Sequence, residues 1–308
     1  MSVALASVGA VVADRLLGEP PVPLHPVVWF GSAMQRVEAT VYADTRRAGV
    51  LHAGVGVLLG AGTGLLLRRA AGTGVSTLVA GTVCVAGRML EREALGVGEP
   101  LAAGDLDTAR AALSRLVGRE TGDLDETAVA RATIETVAEN TVDAVLGSVW
   151  WAAAAGAPGV LAHRAANTMD AMVGHRSARY RRYGWASARL DDAMNLVPAR
   201  LGVAAVVLAR PRAASHIIST VRRDAEQHPS PNGGVIEAAF AAALDVRLGG
   251  VNRYGDVVED RGRLGTGRDP VGSDIERATR LARDVAVTSA AMVLAGSVAV
   301  KAVWRCVR

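Results

Sequence analysis

Lysine is almost absent from this 308-residue sequence, which contains only Lys301, close to the C-terminal end. A phosphate-binding loop of the G-x-x-x-x-G-K-[ST] type needs a lysine earlier in the chain, so that class of nucleotide site is excluded. A lysine that forms a Schiff base is not expected so near the end of the chain. Any phosphate would therefore be bound by arginine, by backbone N–H groups or by a metal ion.

Cysteine and aromatic residues are also scarce. Cys84 and Cys306 are too few and too far apart to form a disulfide framework or a zinc site, and both are expected to be inert. Aromatic residues make up 4% of the chain, and no basic stripe is interleaved with them. The net charge of +4 therefore indicates the positive-inside bias of a membrane protein rather than nucleic-acid binding.

What the sequence has in excess is apolar residues, at 50% of the chain with a mean hydropathy of +0.25. Residues 50–67 and 70–87 are uncharged stretches near the lower length limit for a membrane span, and Arg68 and Arg69 between them predict a turn. We therefore predict an all-α, multi-pass integral membrane protein with about four to five transmembrane helices. Further apolar segments are 1–17, 144–162, 196–209 (a poor span, because Pro198 and Arg200 interrupt it) and 285–300.

An acidic stripe precedes the segment 144–162. Arg131, Glu135, Glu139 and Asp143 recur every four residues, so on a helix they share one face, with Asn140 beside them. Carboxylates on one face repel one another unless a cation or hydrogen-bond donors lie among them. Because ionised side chains next to a membrane segment are costly, they are candidates for function.

A second polar cluster follows the same apolar segment and contains Asn167, Asp170, Asp191, Asp192 and Asn195. The sequence Gly-Ala-Pro-Gly at 156–159 breaks helices, so we predict a broken or re-entrant helical hairpin that brings the two clusters level. Carboxylate and amide oxygens suit Mg²⁺. The alternative is a pair of solvated helix faces whose carboxylates pair with nearby arginines.

Basic residues are densest between Asp170 and Asp191. They are Arg176, Arg179, Arg181, Arg182 and Arg189. They either bind an anionic substrate or form a positive-inside loop against lipid. The loop that starts at Ser230 either offers backbone N–H groups to an anion or is an ordinary turn and helix cap.

The chain is expected to be a single integral membrane domain, 1–308, with extramembrane lobes at 88–143 and 210–283 and a mobile segment at 253–270.

Several ordered motifs resemble the CobD/CbiB family of cobalamin biosynthesis, the adenosylcobinamide-phosphate synthases. The stretch 135–143, ETVAENTVD, resembles the family's E-x-x-A-E-N-x-x-D block, and 167–174, NTMDAMVG, resembles its N-T-x-D-x-M-V-G block. The resemblance continues through 183–192, 230–232, 237–241 and 248–254 and includes His25-Pro26, so it covers nearly the whole chain. Small departures are Gly233-Gly-Val-Ile, where alanine, glycine, tryptophan and proline are commoner, and Val251.

The resemblance implies an enzyme of the cell membrane. It would join aminopropanol, or its O-phosphate, through an amide to the free propionate of adenosylcobyric acid, with ATP and Mg²⁺. Implied catalytic residues are Glu135, Glu139, Asn140, Asp143, Asp170 and Asp192, and implied metal ligands are Glu139, Asp143, Asp170 and Asp191. Implied substrate-binding residues are His25, Asn167, Arg176, Arg189, Asn195, Ser230, Asn232, Glu237 and Asn252.

Other classes of function stay open on the residues alone. A membrane transporter, or a corrinoid-binding membrane protein, would also use intramembrane carboxylates, although a transporter predicts inverted repeats that the sequence lacks. A membrane phosphotransferase of the CDP-alcohol type would need a D-x-x-D-G-x-x-A-R motif, which is absent. The expected partners are the two substrates and the lipid bilayer, with self-association or association with other corrinoid-pathway enzymes, and no nucleic acid.

Overall fold

The structure, a computed structural model, describes residues 1–118, 120–175, 177–254 and 257–306. It is 78% helical, which confirms the all-α prediction. By internal contacts the chain forms two units, unit 1 (Met1–Ala86, Asp143–Pro198 and Ala290–Arg308) and unit 2 (Gly87–Val142 and Ala199–Ser289). The helices are α1 Val3–Leu17, α2 Pro26–Val41, α3 Arg46–Cys84, α4 Gly87–Ala102, α5 Leu106–Leu113, α6 Glu126–Asn140, α7 Gly147–Val173, α8 Trp185–Ala209, α9 Ala214–Asp224, α10 Gly233–Leu244 and α11 Gly272–Cys306.

Among the described residues, four helical segments are long and apolar enough to cross a membrane. Their surfaces are unlike those of a soluble protein, since large apolar side chains such as Leu58 (73% exposed) and Leu66 (65% exposed) face outward on α3. Exposed apolar side chains on helices of this length are typical of a surface that lies against lipid. The chain is thus a multi-pass membrane protein, as predicted. The four segments are Arg46–Ala102, Glu126–Val173, Trp185–Ala209 and Gly272–Val300.

Helix α3 is a hairpin whose two arms meet at Gly72. Gly60, in the first arm, packs against the backbone of Leu161, and the Cys84 Sγ in the second arm lies 3.9 Å from the carbonyl oxygen of Val160. Both arms therefore run along the same stretch of α7. The turn was predicted at Arg68 and Arg69, which instead continue the first arm, because the reversal needs the positive φ of 73° that Gly72 adopts.

Small residues let the first arm of α3 approach α7 closely. A Cβ atom at Gly56, Gly60 or Gly64 would collide with side-chain or backbone atoms of α7, whereas one at Gly54 or Gly62 would meet nothing. The glycines that pack are spaced four apart, so they form one face of the helix. This face explains the glycine-rich sequence, as expected for packing between membrane helices.

Helix α7 also reverses, at Gly156, where φ is 67°. In the folded chain Gly147 lies against the imidazole ring of His163. A straight helix would hold these two residues about 24 Å apart, at 1.5 Å of rise per residue. The broken hairpin predicted from Gly156 and Pro158 is therefore confirmed, with arms at 147–155 and 157–173.

Helix α8 runs without interruption through Pro198, so the prediction that Pro198 and Arg200 break this segment was wrong. Proline removes the N–H that would bond to the carbonyl oxygen of Met194. The indole N–H of Trp151 donates to that carbonyl oxygen instead, at 3.0 Å. The replacement partner in α7 offsets the main cost of a proline inside a helix.

Unit 2 packs α10 against α6 and α9 and contains an antiparallel pair of strands, β1 (Leu248–Tyr254) and β2 (Val257–Leu264). Asp125 caps α6, because its carboxylate accepts from the N–H of Ala128 at 2.7 Å. The segment predicted to be mobile, 253–270, consists over its described residues mostly of strand β2 and the end of β1 that pairs with it. Leu248 and Leu264, paired at one end, are both buried and anchor the hairpin to the unit.

Candidate functional site: two polar clusters

Asp143 lies in a π-helical segment, Thr141–Leu146, between α6 and α7. The wider turn of a π-helix changes where successive side chains point, and such segments are frequent at functional sites. The Asp143 carboxylate accepts from the Asn195 side-chain amide at 3.0 Å. Asp143, which precedes the apolar hairpin of α7, thereby contacts Asn195, which follows it; both were predicted site residues.

Asn195 holds the first cluster together, which we call the unit 1 cluster (Asp143, His163, Arg164, Asn167, Asp191 and Asn195). Its Nδ2 also donates to Asp191 at 3.1 Å, and its Oδ1 lies 2.8 Å from Nε2 of His163. Asp191 in turn accepts from the Asn167 amide at 3.4 Å. The buried Asn195 amide thus bridges Asp143 and Asp191, which belong to the two polar clusters that the sequence predicted to lie level.

Arg164 supplies the positive charge of the unit 1 cluster. Its guanidinium donates to Oδ1 of Asn167 at 3.2 Å and to the carbonyl oxygen of Cys84, at the end of α3. Ser148 donates to the same carbonyl at 3.2 Å. The carbonyl end of a helix carries partial negative charge, so a cation is stabilised there. The cluster combines two carboxylates, two amides, one imidazole and one arginine.

The second cluster, the unit 2 cluster (Glu135, Glu139, His228, Glu237 and Arg261), forms where α6, α10 and β2 meet. Glu135 is 2% exposed and accepts from the N–H of Gly249 at 2.8 Å, with Nε of Arg131 at 3.8 Å. Glu139 accepts from Arg261 at 3.2 Å. The arginine thus offsets part of the charge of the acidic stripe predicted on α6.

Glu237 is fully buried, and neither of its carboxylate oxygens makes a hydrogen bond to the described residues. Its neighbours are Nε2 of His228 at 3.3 Å and the Arg261 guanidinium at 3.9 Å from Oε1. Burial raises the pKa of Glu237 well above its ordinary value, and the charges of Glu139 and Glu135 raise it further. An ionised Glu237 therefore requires more positive charge than Arg261 supplies.

His228 contributes a buried imidazole beside Glu237. Burial lowers the pKa of His228, and the charge of Arg261 lowers it further, so the ring is neutral at pH 7. A Cβ at Gly233 would lie 2.9 Å from Cε1 of His228 and 3.1 Å from Oε1 of Glu139, so the backbone at the start of α10 approaches both side chains. Among the described residues, Glu139, His228 and Glu237 each offer a ligand atom, with all three atoms within 4.8 Å of one another.

The Ser230 loop lies beside the unit 2 cluster. The Ser230 hydroxyl accepts from the N–H groups of Asn232 and Gly233 at 3.3 and 3.1 Å, which is the geometry of a capped turn. Arg200 donates to Oδ1 of Asn232 at 2.6 Å and to the carbonyl of Pro231 at 3.0 Å. The N–H groups of Asn232 and Gly233 already have the Ser230 hydroxyl as partner, so Arg200 is the better candidate for contact with an anion. Asn252, also predicted, is 3% exposed in β1.

The other predicted residues have different contacts where the structure describes them. His25 caps α2 by accepting from the N–H of Val27, and its Nε2 lies 3.3 Å from Glu19. Asn140 donates to the carbonyl of its own helix at Thr136, and Asp192 pairs with the exposed Arg189 at 3.4 Å. Asp170 lies three residues beyond Asn167 on α7, with its carboxylate near Gly174. Arg176 lies outside the described residues.

The sequence motifs did not single out five residues of these clusters or beside them: His163, Arg164, Arg200, His228 and Arg261. His163 and Arg164 follow the apolar run directly and could have been found by pairing the two arms of the predicted hairpin about Gly156. His228 precedes the Ser230 motif by two residues. Arg261 carried no signal, because it sits in a segment read as a loop.

Comparison with known proteins agrees with the motifs. The family model described as CobD/Cbib protein matches residues 7–282. The proteins named "Cobalamin biosynthesis protein CobD" of Mycobacterium tuberculosis and Rhodobacter capsulatus are 43% and 41% identical to this chain. The matches cover 91% of each chain for the first, and 92% of this chain and 94% of the relative for the second. The protein of that name from Pelobacter propionicus is 40% identical over 86% of this chain and 84% of its own. No solved structure matches the chain. The chain belongs to the CobD/CbiB family.

Proposed function

We propose that this chain acts in cobalamin biosynthesis as an adenosylcobinamide-phosphate synthase. It forms an amide between aminopropanol, or its O-phosphate, and the free propionate of adenosylcobyric acid. The observation that carries the proposal is that the family motifs 135–143, 167–174 and 183–192 converge on the two clusters, and above all on Asp143 and Asp191 bridged by Asn195. Carboxylates next to apolar membrane segments are costly, so we expect Asp143 and Asp191 to take part in the chemistry.

Amide formation sets three tasks for the site. The amine loses a proton, the carbon of the propionate loses one oxygen, and a C–N bond replaces the C–O bond. In our proposal Asp143 or Asp191 accepts the amine proton, because the Asn195 amide holds both carboxylates close together. Arg164 binds an anionic group of a substrate. ATP, where it takes part, supplies the free energy that makes the oxygen a leaving group.

A divalent cation fits the unit 1 cluster by its donors. Asp143 and Asp191 offer carboxylate oxygens, the hard donors that Mg²⁺ prefers. Mg²⁺ held there would neutralise negative charge on a phosphate and on the reacting carboxylate. Of the four ligands implied by the resemblance, we assign Mg²⁺ to Asp143 and Asp191 rather than to Asp170 and Glu139, because Asn195 bridges the first two.

The membrane arrangement follows from the same proposal. The lobes 88–143 and 210–283 lie outside the bilayer, where a substrate as large and polar as the corrinoid is accessible. Arg200 at the Ser230 loop of unit 2 and Arg189 of unit 1 offer positive charge to an anionic substrate, a role that the resemblance also implies for Arg176. Association with other corrinoid-pathway enzymes, or with a second copy, would shorten the path of the intermediate.

An assay of the detergent-purified chain tests the proposal. The protein receives adenosylcobyric acid, ATP and Mg²⁺ with either aminopropanol or its O-phosphate, and mass spectrometry follows the amide. We expect product with at least one of the two amines and none after chelation of Mg²⁺. Absence of product with both amines, from protein that still binds the corrinoid, would replace the enzyme with a corrinoid-binding or transport protein.

A further inference from the structure

A group of three side chains in unit 2, of which His228 and Glu237 are buried and Glu139 is half-buried, is not used by the proposed amide chemistry. Glu139, His228 and Glu237 come from α6, from the loop before α10 and from α10 itself. Glu237 is completely buried, and both of its oxygens and Nε2 of His228 lack hydrogen bonds to the described residues. Buried polar atoms normally have a partner, so an unsatisfied carboxylate next to an unsatisfied imidazole indicates that something else binds between them.

The distances suit a metal ion. The three ligand atoms lie within 4.8 Å of one another, and those of His228 and Glu237 are 3.3 Å apart. A divalent ion bound at about 2.0–2.2 Å holds opposite ligands at most about 4.4 Å apart, so a small side-chain rotation closes the site. Three protein ligands leave coordination positions for water or a substrate atom, as in catalytic rather than structural sites.

The charges around these residues also favour a cation. Four carboxylates, those of Glu135, Glu139, Glu237 and Glu259, pair with the guanidinium groups of Arg131 and Arg261. The Arg261 guanidinium, 3.2 Å from Glu139 and 3.9 Å from Glu237, approaches the position that the ion would take.

We propose that Glu139, His228 and Glu237 form a binding site for a divalent transition-type cation, and that Arg261 competes with this cation for the two glutamates. An imidazole ligand favours Mn²⁺, Fe²⁺ or Zn²⁺ over Mg²⁺, so this site differs in metal class from the all-oxygen unit 1 cluster. The proposal stands on the geometry of unit 2 whatever reaction the chain catalyses.

The tautomer of His228 is part of the proposal. Nδ1 of the ring lies 3.0 Å from the backbone N of Ser230 and 3.3 Å from its carbonyl oxygen. In one tautomer Nδ1 accepts from the Ser230 N–H and Nε2–H points at Glu237. In the other, Nδ1–H donates to the carbonyl and the Nε2 lone pair is available to a metal, as is usual for metal-bound histidines. Metal binding selects the second tautomer.

Mn²⁺ is the probe for the test, because histidine nitrogen bound to it modulates its electron spin echo. The full chain in detergent is freed of metals with a chelator, dialysed and titrated with Mn²⁺ in excess Mg²⁺, which occupies all-oxygen sites. We expect one bound Mn²⁺ with ¹⁴N modulation in the wild type and in the control His216→Gln, on the half-exposed surface of α9. The modulation is lost in His228→Gln.

Arg261→Met decides the competition and remains informative if His228→Gln does not fold. Removing the competing guanidinium should tighten Mn²⁺ binding by on the order of tenfold, while Glu237→Gln should abolish it. Mn²⁺ bound without ¹⁴N modulation in the wild type would overturn the histidine ligand. Absence of bound Mn²⁺ from both the wild type and Arg261→Met would overturn the site and leave Glu237 and His228 as a proton-sharing pair. Amide formation is not measured in this experiment, so either outcome is separate from the fate of the proposed function.

Discussion

Replacing Asn195 by alanine tests whether one amide holds the unit 1 cluster together. The variant loses two hydrogen bonds to carboxylates, at 3.0 and 3.1 Å, and the contact of 2.8 Å with His163. Hydrogen bonds to charged groups contribute about 1.5–3 kcal/mol each in water-soluble proteins, whereas interhelical bonds within membranes average about 0.6 kcal/mol. Because two carboxylates then lose the donor that they share, we expect the free energy of unfolding to fall by about 2–4 kcal/mol.

Unfolding by SDS, followed through tryptophan fluorescence, measures this loss. Trp151 donates to the carbonyl of Met194, one residue before Asn195, so its emission reports on the same part of α8. Asn140→Ala is the matched control, since Asn140 makes one hydrogen bond, to Thr136 in its own helix, and its removal should cost about 1 kcal/mol or less. An Asn195→Ala variant as stable as Asn140→Ala would refute the bridging role of Asn195.

Three further predictions follow from particular contacts. Gly156→Ala, at a φ of 67°, should lower the free energy of unfolding by about 1 kcal/mol or more, whereas Gly62→Ala, helical and facing open space, should leave it unchanged or raise it; equal effects would contradict the turn. Burial by itself raises the pKa of Asp224, but hydrogen bonds from Arg223 and from the N–H of Gly265 keep it below its ordinary value of 3.8. Ionised Asp224 therefore stabilises the fold above that pH and loses its contribution as pH falls. The melting temperature of Asp224→Asn should accordingly lie below that of the wild type at about pH 7 and converge with it as the pH falls below 3.8, and a constant difference would argue against the ion pair. The end of unit 1 that carries Arg179, Arg181 and Arg182 should face the cytoplasm and the Gly72 turn the other side. In a background without native cysteines, an impermeant maleimide applied to intact cells should therefore label Arg68→Cys and spare Arg181→Cys; the reverse pattern would invert the topology.

Helices and breaks were predictable because they depend on local chemistry. Glycine and proline at 156–158 marked the reversal of α7, and the four-residue spacing of the carboxylates placed Glu135 and Glu139 on one face of α6. The position of the α3 turn was missed because two arginines look more polar than one glycine, although only Gly72 provides the positive φ. Pro198 was misjudged because its compensation, the indole of Trp151, lies 47 positions away in the sequence and appears only on folding.

Partners in the candidate site were harder to predict than its carboxylates. The acidic and amide residues were identifiable by spacing and by the family motifs, whereas their positive and neutral partners come from distant segments. Arg261 donates to Glu139 from strand β2. The sequence around Arg261 is rich in glycine, arginine and aspartate and did not predict a strand. His163 joins Asn195 only because α7 folds back on itself. Long-range pairing of this kind is decided by tertiary structure and not by any local pattern.

Turnover of single carboxylate variants tests whether the unit 1 cluster carries the amide chemistry. Asp143→Asn and Asp191→Asn are compared with the wild type in the amide assay. Asp44→Asn serves as the control, because Asp44 is exposed and lies 3.9 Å from Arg182 in a surface ion pair. We predict that Asp143→Asn and Asp191→Asn each lose about 100-fold or more of the rate, as expected for a proton acceptor or a metal-binding residue. Asp44→Asn should stay within about twofold of the wild type, as expected for a surface ion pair. Full turnover by both Asp143→Asn and Asp191→Asn would contradict the proposed role of these carboxylates.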